Sequence, residues 1–217
     1  YQFDTVKPDF VIVSHASNVF GLIAPVEDIF ALAKKYEAIT LVDMAQTAGL
    51  VDLNVGLTTI DFAVFAGHKT LSGFVMNPAV KFPAVIFGGT GYESANQDMP
   101  EDLPQKYEMG TQDIAGIAGL NAALGWSAQV TIDAIRKKEA ENRKKLIDLL
   151  SRYSYIKIIG NYDSCNYVGI VSCIIEGISS DSAGPVFDRC GIAVRTGLQC
   201  APLAHQFMGT FPAGTIR

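Results

Sequence analysis

At 217 residues the chain can bury about 70% of the surface its unfolded form exposes, enough for one large domain or two small ones. With 49% hydrophobic and 18% charged residues it is an ordinary globular sequence, not a disordered one. A net charge of −5 argues against a nucleic-acid surface, and no apolar run reaches the roughly 18 residues a membrane helix needs. The four cysteines, Cys165, Cys173, Cys190 and Cys200, lack CxxC spacing, which argues against a zinc site and a disulfide framework and for a reducing, cytoplasmic setting. The opening Tyr1-Gln2-Phe3-Asp4 has no basic stretch ahead of an apolar core, so no signal peptide is expected. It also lacks a methionine, so the start is expected not to be the native one.

Residues 10–13 form a continuous apolar run suited to a strand buried on both faces. Residues 18–21 read as a loop, and Pro25 opens a helix to Tyr36 with Val26, Ile29, Phe30 and Ala33 on one face. A strand at 40–42 follows, so this is a βαβ unit whose strands should be parallel. In open α/β sheets ligands sit beyond the carboxyl ends of the strands, where Asp43 lies. A strand at 60–65 runs into Ala66-Gly67-His68-Lys69, and strands are expected again at 71–76 and 84–87. Residues 88–111 are loop-rich; helices are predicted at 114–129 and, more polar, at 131–153, where Arg136-Lys137-Lys138 reads as a solvated face. The last third predicts strands at 156–159, 168–175 and 192–194 around a helix at 181–189. The expected organisation is therefore a larger α/β unit over 1–130 and a smaller α+β domain, with its linking helix, over 131–217.

One carboxylate, Asp43, and one lysine, Lys69, are thus delivered to the same edge of a parallel sheet. Pyridoxal phosphate enzymes need that pair: the lysine forms a Schiff base and the acid keeps the pyridine nitrogen protonated, so that the ring acts as an electron sink. Burial at a strand end would lower the lysine's pKa and free its amine. Asp43 equally suits the N-cap of a helix beginning at Met44.

Four stretches, Ser14-His15-Ala16-Ser17-Asn18-Val19-Phe20-Gly21, Val42-Asp43-Met44-Ala45-Gln46, Val64-Phe65-Ala66-Gly67-His68-Lys69 and Arg195-Thr196-Gly197-Leu198-Gln199-Cys200-Ala201-Pro202, resemble the class V aminotransferase family, and within it the cysteine desulfurases. The resemblance implies a fold-type I enzyme binding pyridoxal 5'-phosphate, with a mainly parallel sheet flanked by helices and a smaller C-terminal α+β domain, in a homodimer with sites at the subunit interface. By that resemblance Lys69 is the Schiff-base lysine, Asp43 partners the ring nitrogen, Gln46 bonds the phenolic oxygen and His68 contacts the phosphate. Asn18 would lie near the substrate carboxylate and ring oxygen, and Arg217 would clamp that carboxylate through a bidentate guanidinium. Glu108-Met109-Gly110-Thr111 resembles the stretch whose threonine reaches the phosphate of the partner subunit's cofactor. Cys200 would take sulfur from L-cysteine, leaving alanine and an enzyme persulfide; a thiolate in that role belongs on an exposed loop near positive charge. Cys165, Cys173 and Cys190 lie in apolar patterns and read as inert core thiols, and His205 carries no assigned role.

The chain departs from the family in four places. Ala66 replaces a serine that donates to the phosphate, and Gln199 stands where a histidine often precedes the cysteine. Leu71 meets Ser72-Gly73 directly where a Gly-Pro-rich loop is usual, so a loop left out of the sequence is expected there. The family's N-terminal part, with its Gly-Thr phosphate loop and ring-stacking histidine, is missing, and a fragment of a full enzyme is the expectation. The expected activity is desulfuration of L-cysteine, with a sulfur-acceptor protein as possible partner and no metal. The alternatives are another class V reaction, such as selenocysteine lyase or aminotransferase, and a catalytically silent assembly domain. No GxGxxG follows the first strand, which discounts a dinucleotide-binding domain.

Overall fold

A computed structural model describes residues 2–66, 73–93, 95–162 and 166–217. Lys69, His68 and Cys165, together with the junction at Leu71 and Ser72, lie outside the described residues. After a short helix α1 (Gln2–Val6), the chain builds a four-stranded sheet in the order β1-β2-β3-β4: β1 (Phe10–Ser14), β2 (Ile39–Asp43), β3 (Phe62–Phe65) and β4 (Gly73–Met76). The first three strands are parallel, with Ser14 opposite Asp43 and Asp43 opposite Val64, and β4 returns antiparallel. The crossover between β1 and β2 is α2 (Val26–Lys34), which buries Val26, Phe30 and Ala33. These side chains meet Val42, Met44, Ala48, Ile60 and Ala63, and that cluster is the core of this half.

β1 departs from the two-sided burial that its apolar run predicts. Val11 and Val13 pack on the core, whereas Ile12 is 65% exposed and Phe10 is open too. The described elements cover one face of this strand, and the face opposite α2 is bare. At the amino end of β3, Asp61 is buried and accepts hydrogen bonds from Lys34 Nζ and from Thr40 N at 2.8 Å, so its charge is compensated.

The residues at 84–87 form no strand. Val85 and Phe87 are 72% and 70% exposed, and Pro83 on one side and Gly88-Gly89 on the other leave the segment without ladder partners. Helix α3 (Ile114–Val130) is capped by Asp113, whose Oδ1 accepts from Gly116 N at 2.9 Å. Thr131, at φ 68°, breaks it from α4 (Ile132–Leu150) and caps the latter. Arg136, Lys137 and Lys138 are exposed on α4 as the sequence predicts.

The second sheet is antiparallel, in the order β5-β6-β8-β7: β5 (Ile156–Ile159), β6 (Ser172–Ile175), β7 (Thr196–Gly197) and β8 (Thr215–Ile216), with α5 (Ser180–Arg189) and α6 (Pro202–Phe207) between strands. Cys173, Ala183 and Ile216 form its core. Two of its strands depart from the sequence pattern. The strand predicted at 168–175 is confined to 172–175, because residues 166–168 bond across to the loop after β1. The strand predicted at 192–194 is displaced to 196–197, where Thr196 and Gly197 find partners in Ile216 and Thr215.

The two sheets are stitched together around residues 15–24. Ile23 N donates to Asn166 O at 2.9 Å, Val168 N to Gly21 O at 2.9 Å, and Ser172 Oγ to Val19 O at 2.5 Å. Ala16, Val51 and Val168 form a small apolar cluster at the seam. Helix α4 braces it from outside: Arg143 stacks over the Tyr167 ring at 3.9 Å and donates to Ile170 O at 3.3 Å.

Candidate active site

The loop after β1 is shaped by Ser17, whose Oγ accepts from the N–H groups of Val19 at 3.2 Å and Phe20 at 3.1 Å. Gly21, at φ 71°, then closes the turn, its N–H bonding Ser17 O at 3.0 Å. This turn places Asn18 beyond the carboxyl end of β1. Asp43 ends the neighbouring strand, and one of its oxygens, Oδ1, accepts from Ala45 N at 2.9 Å. The other, Oδ2, lies 3.4 Å from Ser14 Oγ. Residues 44–50 form successive turns instead of a helix, so Asp43 caps a turn with one oxygen and keeps the other on the cavity side.

Asn18, Asp43 and Gln46 line one cavity of about 510 Å³, together with Ser14, Ala45 and Ala204 of α6. Its size falls in the range of small-molecule sites, and it lies at the strand ends where α/β sheets bind ligands. A smaller cavity, about 290 Å³, is lined by residues that include Ile60, Asp61 and Asn77, at the opposite end of β3.

Asn18 also joins the site to the C-terminal sheet. Its Nδ2 donates to Gln199 O at 2.8 Å, and its own carbonyl accepts from Arg217 Nη1 at 2.7 Å. Arg217 is held by paired backbone bonds with Arg195, at 2.8 and 2.9 Å. Cys200 follows Gln199 directly and is exposed, as the sequence predicts for it. Cys173 is buried, and burial pushes its thiol pKa up, which suits an inert core group. Cys190, in contrast to the core position its sequence context predicts, caps the C-terminal end of α5 and is exposed.

The fold brings Asn18, Asp43, Gln46, Arg217 and the Cys200 loop together. Thr111 is not among them; it is exposed in the turn before α3. Among the described residues no group of three or more potential ligands is placed to hold a metal ion, and no helix is long and apolar enough to cross a membrane. His15 sits beneath the site, 4% exposed, with Nδ1 2.9 Å from Thr47 Oγ1. Burial, and then the charge of Arg136, lower its pKa. Sequence reasoning missed Ser14 as the neighbour of Asp43 and the burial of His205. For Ser14 a signal exists, because strict register of the two parallel strands pairs it with Asp43.

A family model described as aminotransferase class V matches residues 4–217. A protein named probable cysteine desulfurase from Halalkalibacterium halodurans is 34% identical over 204 residues, covering 90% of this chain and 50% of the relative. Probable cysteine desulfurase 2 of Mycobacterium leprae is 32% identical, with 91% and 50% covered. The chain thus spans about half the length of the curated relatives it matches. Among solved structures, the apo cysteine desulfurase of Thermococcus onnurineus superposes with a TM-score of 0.76 at 25% identity, covering 96% of this chain and 54% of that one. A cysteine desulfurase of Escherichia coli gives 0.81 at 22% identity, with 95% and 53% covered, a likeness of fold. Class V aminotransferases and cysteine desulfurases depend on pyridoxal phosphate. With a family model matched along nearly its whole length, the chain belongs to the class V aminotransferase family.

Proposed function

We propose that this chain carries half of the active centre of a pyridoxal-phosphate-dependent cysteine desulfurase, in which Cys200 receives the sulfur. The observation that carries the reading is the meeting of Asn18, Asp43 and Gln46 at one cavity, with Asn18 bonded both to the Cys200 loop and to Arg217. Relatives named cysteine desulfurase support it. The donor set fits the cofactor: a carboxylate suits a protonated ring nitrogen, and the Gln46 amide beside it suits a phenolic oxygen. Bound there, pyridoxal phosphate supplies an electron sink that loosens the bonds at the substrate's α-carbon.

Asp43 would keep the ring nitrogen protonated, and its contact with Ala45 N fixes the carboxylate's direction. Lys69 would hold the cofactor and then carry the proton from the α-carbon. His68 would contact the phosphate. Arg217 has five N–H donors and directs those not spent on Asn18 O to the substrate carboxylate. The Cys200 thiolate attacks the substrate sulfur: an S–S bond forms, the C–S bond breaks, and the departing carbon gains a proton. L-cysteine and Cys200–SH thus become L-alanine and Cys200–S–SH, with no outside oxidant. The persulfide passes its sulfur to an acceptor protein.

Residues 1–130 are read as the cofactor-binding unit and 131–217 as the small domain, supported by the two separate sheets. A homodimer is proposed, with Thr111 reaching the partner's cofactor phosphate, supported by its exposure beside α3, which buries none of its apolar residues. A cytoplasmic setting is supported by Cys173, Cys190 and Cys200, which are free thiols. The deciding experiment is Cys200→Ala in the cofactor-loaded protein. Release of alanine and sulfide from L-cysteine should fall by about 100-fold or more, as expected for loss of a nucleophile. Undiminished release would show that Cys200 does not receive the sulfur and would point to another class V reaction, such as that of a selenocysteine lyase.

A further inference from the structure

His205 has no part in the reaction set out above, yet it is the hub of a hydrogen-bonded network directly behind Cys200. It lies on α6 with no exposed surface, and the Phe20 ring meets it edge-on at 5.8 Å. Gln199 fixes where the protons sit. Its Nε2 donates to Arg195 O at 3.2 Å and to Thr215 O at 3.0 Å, so its Oε1 is free only to accept. That oxygen is 3.1 Å from His205 Nε2 and 3.4 Å from Thr215 Oγ1. A neutral His205 with its proton on Nε2 matches this acceptor, and its Nδ1 lies 2.7 Å from Thr210 Oγ1. Burial lowers the His205 pKa, offset in part by a hydrogen bond to the Leu198 backbone, in keeping with a neutral ring.

The backbone gives the network a task. Gln199 and Cys200 have φ of 44° and 61°, two consecutive non-glycine residues in the left-handed region. Such a conformation persists only where its surroundings over-determine it. The Gln199 side chain does so, bridging the carbonyls at residues 195 and 215, while its own carbonyl accepts from Asn18. We propose that His205 and Gln199 are positioning residues: the His205-to-Gln199 hydrogen bond holds the Cys200 backbone in its left-handed turn and so presents the thiol to the cavity beside Asn18. The inference rests on the reading of Cys200 as sulfur acceptor.

The test compares His205→Leu, which donates nothing, with His205→Gln, which can still offer an amide N–H to Gln199, both in the complete cofactor-loaded protein. In the leucine variant kcat for persulfide formation should fall about 10- to 100-fold, the loss of a buried hydrogen bond expressed as a rate. KM for L-cysteine and the cofactor's absorbance change on adding it should stay within about twofold, because those steps precede sulfur transfer. Backbone amides at 198–201 should exchange with deuterium about tenfold faster or more. The glutamine variant should recover most of both losses. A leucine variant with kcat and exchange like the parent overturns the proposal, as does an equal fall in every step, which would mark His205 as merely structural. Should the leucine variant fail to fold, Thr210→Val removes the bond to Nδ1 at nearly constant volume and must give the same pattern at smaller amplitude; no change there overturns the proposal too. Full desulfuration by Cys200→Ala would instead overturn the role of the cysteine, a result the exchange data at 198–201 do not share.

Discussion

Asn18 shows how much one half-buried side chain can organise. Its amide nitrogen holds the Gln199 carbonyl and its backbone oxygen holds Arg217, so a residue of the first sheet's loop sets the position of two groups from the second. Two buried histidines, His15 and His205, have their pKa values lowered from 6.5, in both cases chiefly by burial. A histidine depressed in the folded state contributes stability that is fully present above 6.5 and is lost as pH falls through the folded value, because the unfolded chain takes up the proton first. Thermal unfolding followed at pH 7, 6 and 5 should therefore show a falling Tm, and His15→Asn should make that fall shallower. A flat profile in the parent protein would contradict the burial. Of these residues, Asn18, Asp43 and Cys200 are legible in the sequence, since each sits in a motif or at a strand end. The role of His205 is not, because its partners Gln199 and Thr210 share no helical or strand period with it and lie in the turns on either side of α6.

The elements that the sequence foretells best are those whose apolar runs find partners: β1, α2 and β2 form the parallel βαβ unit as read. The segment at 84–87 has the same composition and no neighbour, and backbone pairing is what makes a strand. The β7–β8 pair could not be foreseen, since each of its strands is two residues long. It depends on one close approach. Gly214 has φ 71°, and a Cβ there would lie 2.2 Å from the Gly197 carbonyl oxygen. Gly214→Ala must push the two strands apart, at a cost of roughly 2–4 kcal/mol. A urea midpoint lowered to match, with accelerated alkylation of Cys200, is the expected outcome. An unchanged midpoint would mean that β7 and β8 do not approach as closely as described.

For the whole molecule, helix α3 poses the main question. Its sequence is apolar on all sides, yet Ile114, Ile117, Leu124 and Trp126 are exposed in the single chain. A helix of that character is normally buried. Composition and periodicity foretell the helix itself, but they carry no information about what covers it, and the same holds for the bare face of β1. If Thr111, just before α3, serves the partner's cofactor, then inactive Lys69→Ala and weakened Thr111→Val proteins should complement when mixed and refolded together. A mixed dimer contains one site with an intact Lys69 and an intact Thr111 from the other subunit, so turnover should rise above that of either variant alone. Absence of any gain would place Thr111 outside the site.

The most direct measurement is borohydride reduction of the complete, cofactor-loaded protein followed by peptide mapping. A single pyridoxyl adduct on the side chain of Lys69 is expected. An unlabelled Lys69, or a label on another lysine, would contradict it.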